Sequence, residues 1–295
     1  CRRLSCIHPT ICPLLGTDHK PTTELLKKAR AVTGVERVHV QSGIRMDLAV
    51  RDPEYVEELA RHHVGGHLKV APEHVAATVL TAMKKPTQDT FEAFRDVFAA
   101  ASARAGKEQY LVPYFIASHP GSGVVEMIDL ALFLKAHGYK PRQVQDFIPA
   151  PMDIATCMYW TGLDPQTLEP VNTVTRLNDR KVQRALMQFW RPENWFAVHK
   201  ALTEAGRSDL IGGGPQCLIP QNPPREALEA RRPLVEARSR VQDLLRASDP
   251  LPLSPTHLHL LFALDDIPCR TSETAAITAA LDTLCDDLRR RTEQG

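Results

Sequence analysis

Between Thr22 and Ile148 the sequence alternates, four times over, between a run with helical apolar spacing and a short run of strand-forming residues. A strand that returns parallel to its neighbour needs a crossover, usually a helix, so this alternation implies parallel βα units. Thr22 to Val32 carries Leu25, Leu26, Ala29 and Val32 on one face, after Pro21 and before Gly34. Val35 to Ile44 reads as the first strand, ending at Ser42-Gly43, and Asp52 to His63 as the next helix, with Pro53 in its first turn. His67 to Ala71 is a short strand that stops at Pro72-Glu73-His74. Thr87 to Ala105 and Val124 to His137 read as helices, Gln109 to Ala117 and Val144 to Ile148 as strands. The strand set fits a doubly wound sheet or part of a β/α barrel, and both gather their chemistry at the C-terminal ends of the strands. Polar residues collect at those ends: Ser42 with Arg45, Glu73 with His74, Ser118 with His119, and Gln145 with Asp146.

Four strands alone leave two open edges that a stable fold has to pair or cover. The first residue is a cysteine and a cysteine cluster follows at once, so the chain is expected to be a piece of something longer. After Pro165 the strand signal fades. Asp179 to Trp190, Pro192 to Ala205 and Arg225 to Ala247 read as helices, with a Gly212-Gly213-Gly214-Pro215 turn between the last two. Ser248 to Pro255 is a proline-rich linker, and a helix from Thr271 to Arg291 ends the chain. Lys plus Arg number 36 against 35 Asp plus Glu, which gives no clear nucleic-acid signal. No apolar run approaches the roughly 20 residues of a membrane helix, and the start lacks the pattern of a secretory signal. A cytoplasmic protein is the expectation.

Cys1, Cys6 and Cys12, with His8 between them, form the densest set of metal-ligand types. Thiolates suit zinc or an iron–sulfur cluster, and short spacings let one loop wrap a metal. The spacing is neither that of a CxxC zinc knuckle nor that of the CxxxCxxC triad that binds a cluster with S-adenosylmethionine. The alternative is a set of unrelated thiols, and Cys157, Cys217, Cys269 and Cys285 read as buried, inert ones. Ser42 and Arg45 at a strand end fit a ribose hydroxyl or a carboxylate, with arginine as a fork of donors, or else a turn with a surface ion pair. Glu73-His74 reads as a base or ligand pair, or as a charged helix start. Ser118-His119-Pro120-Gly121 lacks the G-x-S-x-G elbow, and Gly212-Gly213-Gly214 lacks the Lys-Ser/Thr of a P-loop.

Several strings resemble, in order, the YgiQ family of radical-SAM proteins: CRRLSCIHPTIC, TDHKP, VQSGIRMDLAV, HHVGGHLKVAPEH, MKKP, GKEQYLVPYFIASHPG, QVQDFIPAP, CMYWTGLDP and DLIGGGPQCLIP. They run from Cys1 to about Pro220. The resemblance implies an α/β fold: the second half of a partial β/α radical-SAM-type barrel, followed by a mostly helical C-terminal extension. It divides the chain into a cysteine-rich segment at 1–20, the half-barrel at 21–165, a helical extension at 166–247, and a linker and tail at 248–295. It implies a 4Fe-4S cluster whose CxxxCxxC ligands are absent from this chain, S-adenosylmethionine as co-substrate, and a reductant of the flavodoxin or ferredoxin kind. It also implies Ser42, Arg45, Glu73, Ser118 and His119 as contacts for S-adenosylmethionine, while residue type and spacing alone make Cys1, Cys6 and Cys12 the candidate ligands of an auxiliary cluster or a zinc ion. The function expected is the C-terminal portion of a radical-SAM enzyme, its substrate unknown and inactive without the triad. The alternatives are a zinc-stabilised binding module and a truncated product without activity.

Overall fold

Three strands pair in parallel and in chain order: β1 (His67–Glu73), β2 (Tyr110–Ala117) and β3 (Gln145–Asp146). The computed structural model describes Arg3 and residues 5–247 and 271–294. Among these the chain forms two compact units, one of Cys1–Ser122 with Val144–Thr173 and one of Gly123–Gln143 with Val174–Gly295. No helix among the described residues is long and apolar enough to cross a membrane.

The first unit holds the sheet. Helix α1 spans Lys20–Arg30, α2 Met46–Ala49 and α3 Pro53–Glu58. Asp52 caps α3 by accepting from the Tyr55 N–H at 3.1 Å, with Pro53 in the first turn, where its missing N–H is not needed. Between β1 and β2 run α4 (Ala77–Ala82) and α5 (Gln88–Arg104), and α7 (Ile154–Thr161) follows β3. The two sides of the sheet differ. Leu68, Val70, Phe115 and Ala117 are buried, as are Phe91, Phe94 and Phe98 of α5. The opposite side carries His67 and Lys69 of β1, beside Tyr110 and Tyr114 of β2, all exposed. Alternation along paired parallel strands sends each set to its own face.

The second unit is helical. Helix α6 (Val124–Ala136) buries Met127, Ile128, Leu130, Ala131 and Leu134. Helices α8 (Leu177–Met187) and α9 (Trp195–Glu204) bury Leu186, Met187, Val198 and Leu202. The Gln188 amide donates to the Pro141 and Arg142 carbonyls at 3.0 and 2.9 Å, and the Trp195 indole to the Pro220 carbonyl at 2.9 Å. Both satisfy backbone acceptors in loops that have no ladder partner. Helix α10 (Arg225–Ala247) packs along α11 (Thr271–Gln294), whose Leu281, Leu284 and Cys285 are buried.

The alternation expected from the sequence is present, with three corrections. The strand expected at Val35 to Ile44 shrinks to a single parallel bridge, Ile44 to Val70. Its backbone groups go elsewhere: Val40 N–H donates to the His63 carbonyl at 2.9 Å, and the His63 Nδ1–H to the Val38 carbonyl at 2.7 Å. The helix expected over Asp52 to His63 turns π-helical at Leu59–His63, which brings wholly buried His63 back to Glu58 at 3.2 Å. Strand β1 runs on past Ala71 to Glu73, so Glu73 ends a strand rather than starting a helix, and His74 follows it. The proline-rich linker lies outside the described residues.

Candidate functional site

The C-terminal ends of β1 and β2 share one local design. A residue with left-handed backbone closes each, Glu73 at φ 68° as the last of β1 and Ser118 at φ 63° just past β2, and a buried histidine follows both. A non-glycine residue in that conformation stores on the order of 1 kcal/mol or more. The turn it makes drives the next side chain inward. His74 is 1% exposed and His119 6%. Gly121 at φ 89° completes the second turn where the backbone passes α4; a Cβ there would meet the Ala82 Cβ at 3.4 Å.

The two imidazoles are held in opposite tautomers. His74 Nδ1 accepts from the Ala76 N–H at 3.0 Å, so in the neutral ring its proton sits on Nε2. His119 Nδ1 donates to the Pro120 carbonyl at 2.8 Å, which leaves its Nε2 as the acceptor. Burial, then the neighbouring His119, hold the His74 pKa down at about 4. Burial also lowers that of His119, against the opposing pull of the Pro120 carbonyl and of Asp153. The Phe147 ring meets His119 edge-on, with centroids 5.1 Å apart.

Carboxylates and cations surround the pair. The Ser118 hydroxyl donates to Asp146 at 3.3 Å, across the β2–β3 register. The Glu73 carboxylate accepts from Lys85 at 3.1 Å, and Lys84 reaches Asp164 at 3.3 Å. Hydrogen bonding from the Gln166 N–H first, with Lys84 adding to it, lowers the Asp164 pKa. Arg45, one residue past the Ile44 bridge, grips Asp47 with two contacts of 2.8 and 2.9 Å. His8 lies close enough to Lys84 and Arg45 for their charges, after burial, to lower its pKa.

The residues expected at the strand ends are therefore found as follows. Arg45, Glu73, Ser118 and His119 stand at the ends of successive parallel segments, while Ser42 is exposed on the approach to the Ile44 bridge. Of the cysteines, Cys6 is exposed and Cys12 buried, joined by a 2.7 Å bond from the Cys12 N–H to the Cys6 carbonyl; Cys1 lies outside the described residues. Among the described residues no three His, Cys, Asp or Glu side chains gather as an ion-holding group. Cys157 is exposed rather than buried, Cys217 and Cys285 are buried as expected, and Cys269 lies outside the described residues. Lys84 and Lys85 were not expected. They follow α4, a helix with too few residues to show a period, and only the tight β1–α4 return brings Lys85 to Glu73.

Residues 142–247 match a domain of unknown function, DUF3362. The chain is 47% identical over 237 residues to a UPF0313 protein of Chromobacterium violaceum, covering 79% of this chain and 31% of that protein. It is 44% identical over 237 residues to the UPF0313 protein YgiQ of Escherichia coli (strain K12), covering 79% and 32%. A UPF0313 protein of Methanosarcina acetivorans is 45% identical over 219 residues, covering 74% and 30%. The chain thus spans about a third of the length of these relatives, and its matched stretch belongs to the UPF0313 family.

Proposed function

We propose that this chain supplies the later strand ends and the helical extension of a radical S-adenosylmethionine enzyme. The observation that carries the reading is the convergence of Arg45, Glu73, Ser118 and His119 at the ends of parallel strands set in chain order. Parallel sheets are ordinarily covered on both faces. The exposed side of β1 and β2, with Tyr110 and Tyr114, supports closure by further β/α units of a longer protein. The resemblance to the YgiQ family supplies the reaction class.

The donor set fits S-adenosylmethionine. Ser118 and Glu73 offer the hydroxyl and carboxylate groups that bind ribose oxygens and an α-ammonium group. Arg45 offers a fork for a carboxylate, pre-aimed by Asp47, and Glu73 is steadied by Lys85. Both pairs are partly exposed, so they set direction more than affinity. A 4Fe-4S group, held by residues outside this chain and served by a flavodoxin- or ferredoxin-type donor, would supply one-electron reduction of S-adenosylmethionine. The residues in this chain do not fit that cluster: the CxxxCxxC triad is absent, and Cys6 and Cys12 give two thiols on one loop. The chain's own share is binding, orientation and exclusion of water. Loop 149–162 and the helical extension are assigned to substrate choice.

Reconstituting the full-length protein with iron and sulfide, then assaying 5′-deoxyadenosine under reducing conditions, tests this reading. Failure to form it removes the radical chemistry. A structural zinc held by Cys1, Cys6, Cys12 and His8 is the second reading, favoured by the closed turn from Cys6 to Cys12. Elemental analysis that finds zinc and no iron in the purified full-length protein selects it.

A further inference from the structure

At the end of β1 a buried ring nitrogen has no partner among the described residues. The Nε2 of His74 is buried and makes no hydrogen bond with any described residue, although His74 Nδ1 is fully used by the Ala76 N–H. Buried polar groups are nearly always paired, and an unpaired donor is among the more costly local defects a fold carries. Here it stands beside strained Glu73, and His119 follows the end of β2, the strand paired directly with β1. Glu73 itself is engaged by Lys85. The buried side-chain atom left unmatched at the end of β1 is therefore on the histidine, while Glu73 already holds Lys85 with one of its two oxygens.

We infer that His74 and His119 together form a binding pair for a planar edge with adjacent hydrogen-bond acceptor and donor: His74 Nε2–H gives and His119 Nε2 receives. An aminated nitrogen heterocycle or a primary amide has such an edge. Two neutral rings in opposite tautomers match it without burying a net charge, whereas a carboxylate presents two acceptors and leaves the His119 nitrogen unmatched. Phe147, edge-on to His119, provides an apolar flank to a flat group. Both rings are covered in the structure, so the occupant enters as the strand-end turns at Glu73 and Ser118 give way. The inference deepens the reading of this rim as a small-molecule site, and it holds whether the edge belongs to the adenine of the co-substrate or to the substrate.

Equilibrium binding to the full-length protein tests it, with no turnover required. Adenosine and nicotinamide are the probes, purine riboside and nicotinate the counterparts that lack the amino donor or replace the amide by a carboxylate. Calorimetry is expected to show adenosine, nicotinamide or both binding at least about tenfold more tightly than their counterparts, the loss typical of one unmatched polar group. Adenosine alone assigns the pair to the co-substrate, and nicotinamide alone to the substrate. His74→Phe, which keeps a buried ring and deletes the donor, is expected to weaken the preferred probe about tenfold and to erase the preference. His119→Phe is expected to do the same by removing the acceptor, and Tyr114→Phe, on the exposed face, to leave binding unchanged. Binding without preference, no binding of either probe, or equal affinities in the native protein and a folded His74→Phe variant overturns the inference; the last result assigns the Nε2–H to a buried water alone. 5′-Deoxyadenosine formation is scored separately, so loss of either reading leaves the other standing.

Discussion

His74 makes the stability of the sheet depend on pH in a way that can be isolated. Its pKa is about 4 in the fold against 6.5 in the unfolded chain. Below 6.5 the unfolded state binds a proton that the folded state refuses, so stability falls as pH drops from 6.5 towards 4 and is flat above that window. One pKa unit is worth about 1.4 kcal/mol, so the whole interval amounts to about 3 kcal/mol, and the step from pH 7.5 to pH 5.0 to about 2 kcal/mol. Carboxylates elsewhere titrate too, so the native protein is compared with His74→Gln. The loss of the Ala76 N–H partner in that variant is the same at both pH values and cancels. Opening free energies come from amide hydrogen exchange in peptides covering β1 and β2, corrected for intrinsic exchange, which avoids assuming that the two units unfold together. The native protein is expected to lose about 2 kcal/mol more than the variant on going to pH 5.0. His119, whose pKa is also lowered by burial, remains in both proteins. Equal losses in the two refute the account of His74 as a neutral buried ring.

Two further substitutions probe the scaffold. Phe94→Ala empties a fully buried position on α5, stacked on Phe98 at 6.1 Å, and is expected to cost about 3–5 kcal/mol, read as a lowered urea midpoint. Glu73→Gly relieves the left-handed backbone at φ 68° and is expected to raise the melting temperature, by the equivalent of about 0.5–1 kcal/mol, while weakening S-adenosylmethionine binding measured by calorimetry.

The sequence pattern was informative where local and tertiary preferences agree. Helix α5 keeps its buried Phe91, Phe94 and Phe98 at helical spacing, and β1 and β2 lie where the β-branched and aromatic runs put them. The segment 35–44 misleads because Val35, Val38 and Val40 do not keep a strict period of two, and because buried His63 takes the Val38 carbonyl that a neighbouring strand would need. The π-helical turn that places His63 has no local signal, since it inserts one residue's worth of backbone in response to packing. The strand ends were readable as a rim because parallel βα order dictates where chain reversals fall. The division of labour within it was not. Nothing in the string Glu73-His74 tells that Lys85, twelve residues on, neutralises the first residue and leaves the second with an unpaired donor.

That division follows from where the fold breaks its own rules. Helix α7 obeys them: Asp153 caps its first turn by accepting from the Ala155 N–H at 3.0 Å, and Gly162, free to adopt φ 69°, ends it. At the ends of β1 and β2 a glutamate and a serine occupy the conformation that glycine fills at Gly162, and behind them stand two buried histidines, one with an unmatched N–H. Glycine at 73 and 118 would relax the turns, and an apolar residue at 74 would remove the orphaned donor. A scaffold shaped by stability alone has no reason to hold both defects on adjacent strand ends. The same left-handed conformation recurs at Lys84, Met152 and Leu168; what sets the two strand ends apart is that each such turn precedes a buried histidine. Under the binding role proposed for the strand ends, their side chains rank in a definite order: His74 by the donor it leaves unmatched, with His119 beside it, then Ser118 and Glu73 by the turns they force, and Arg45 by the direction in which Asp47 holds it.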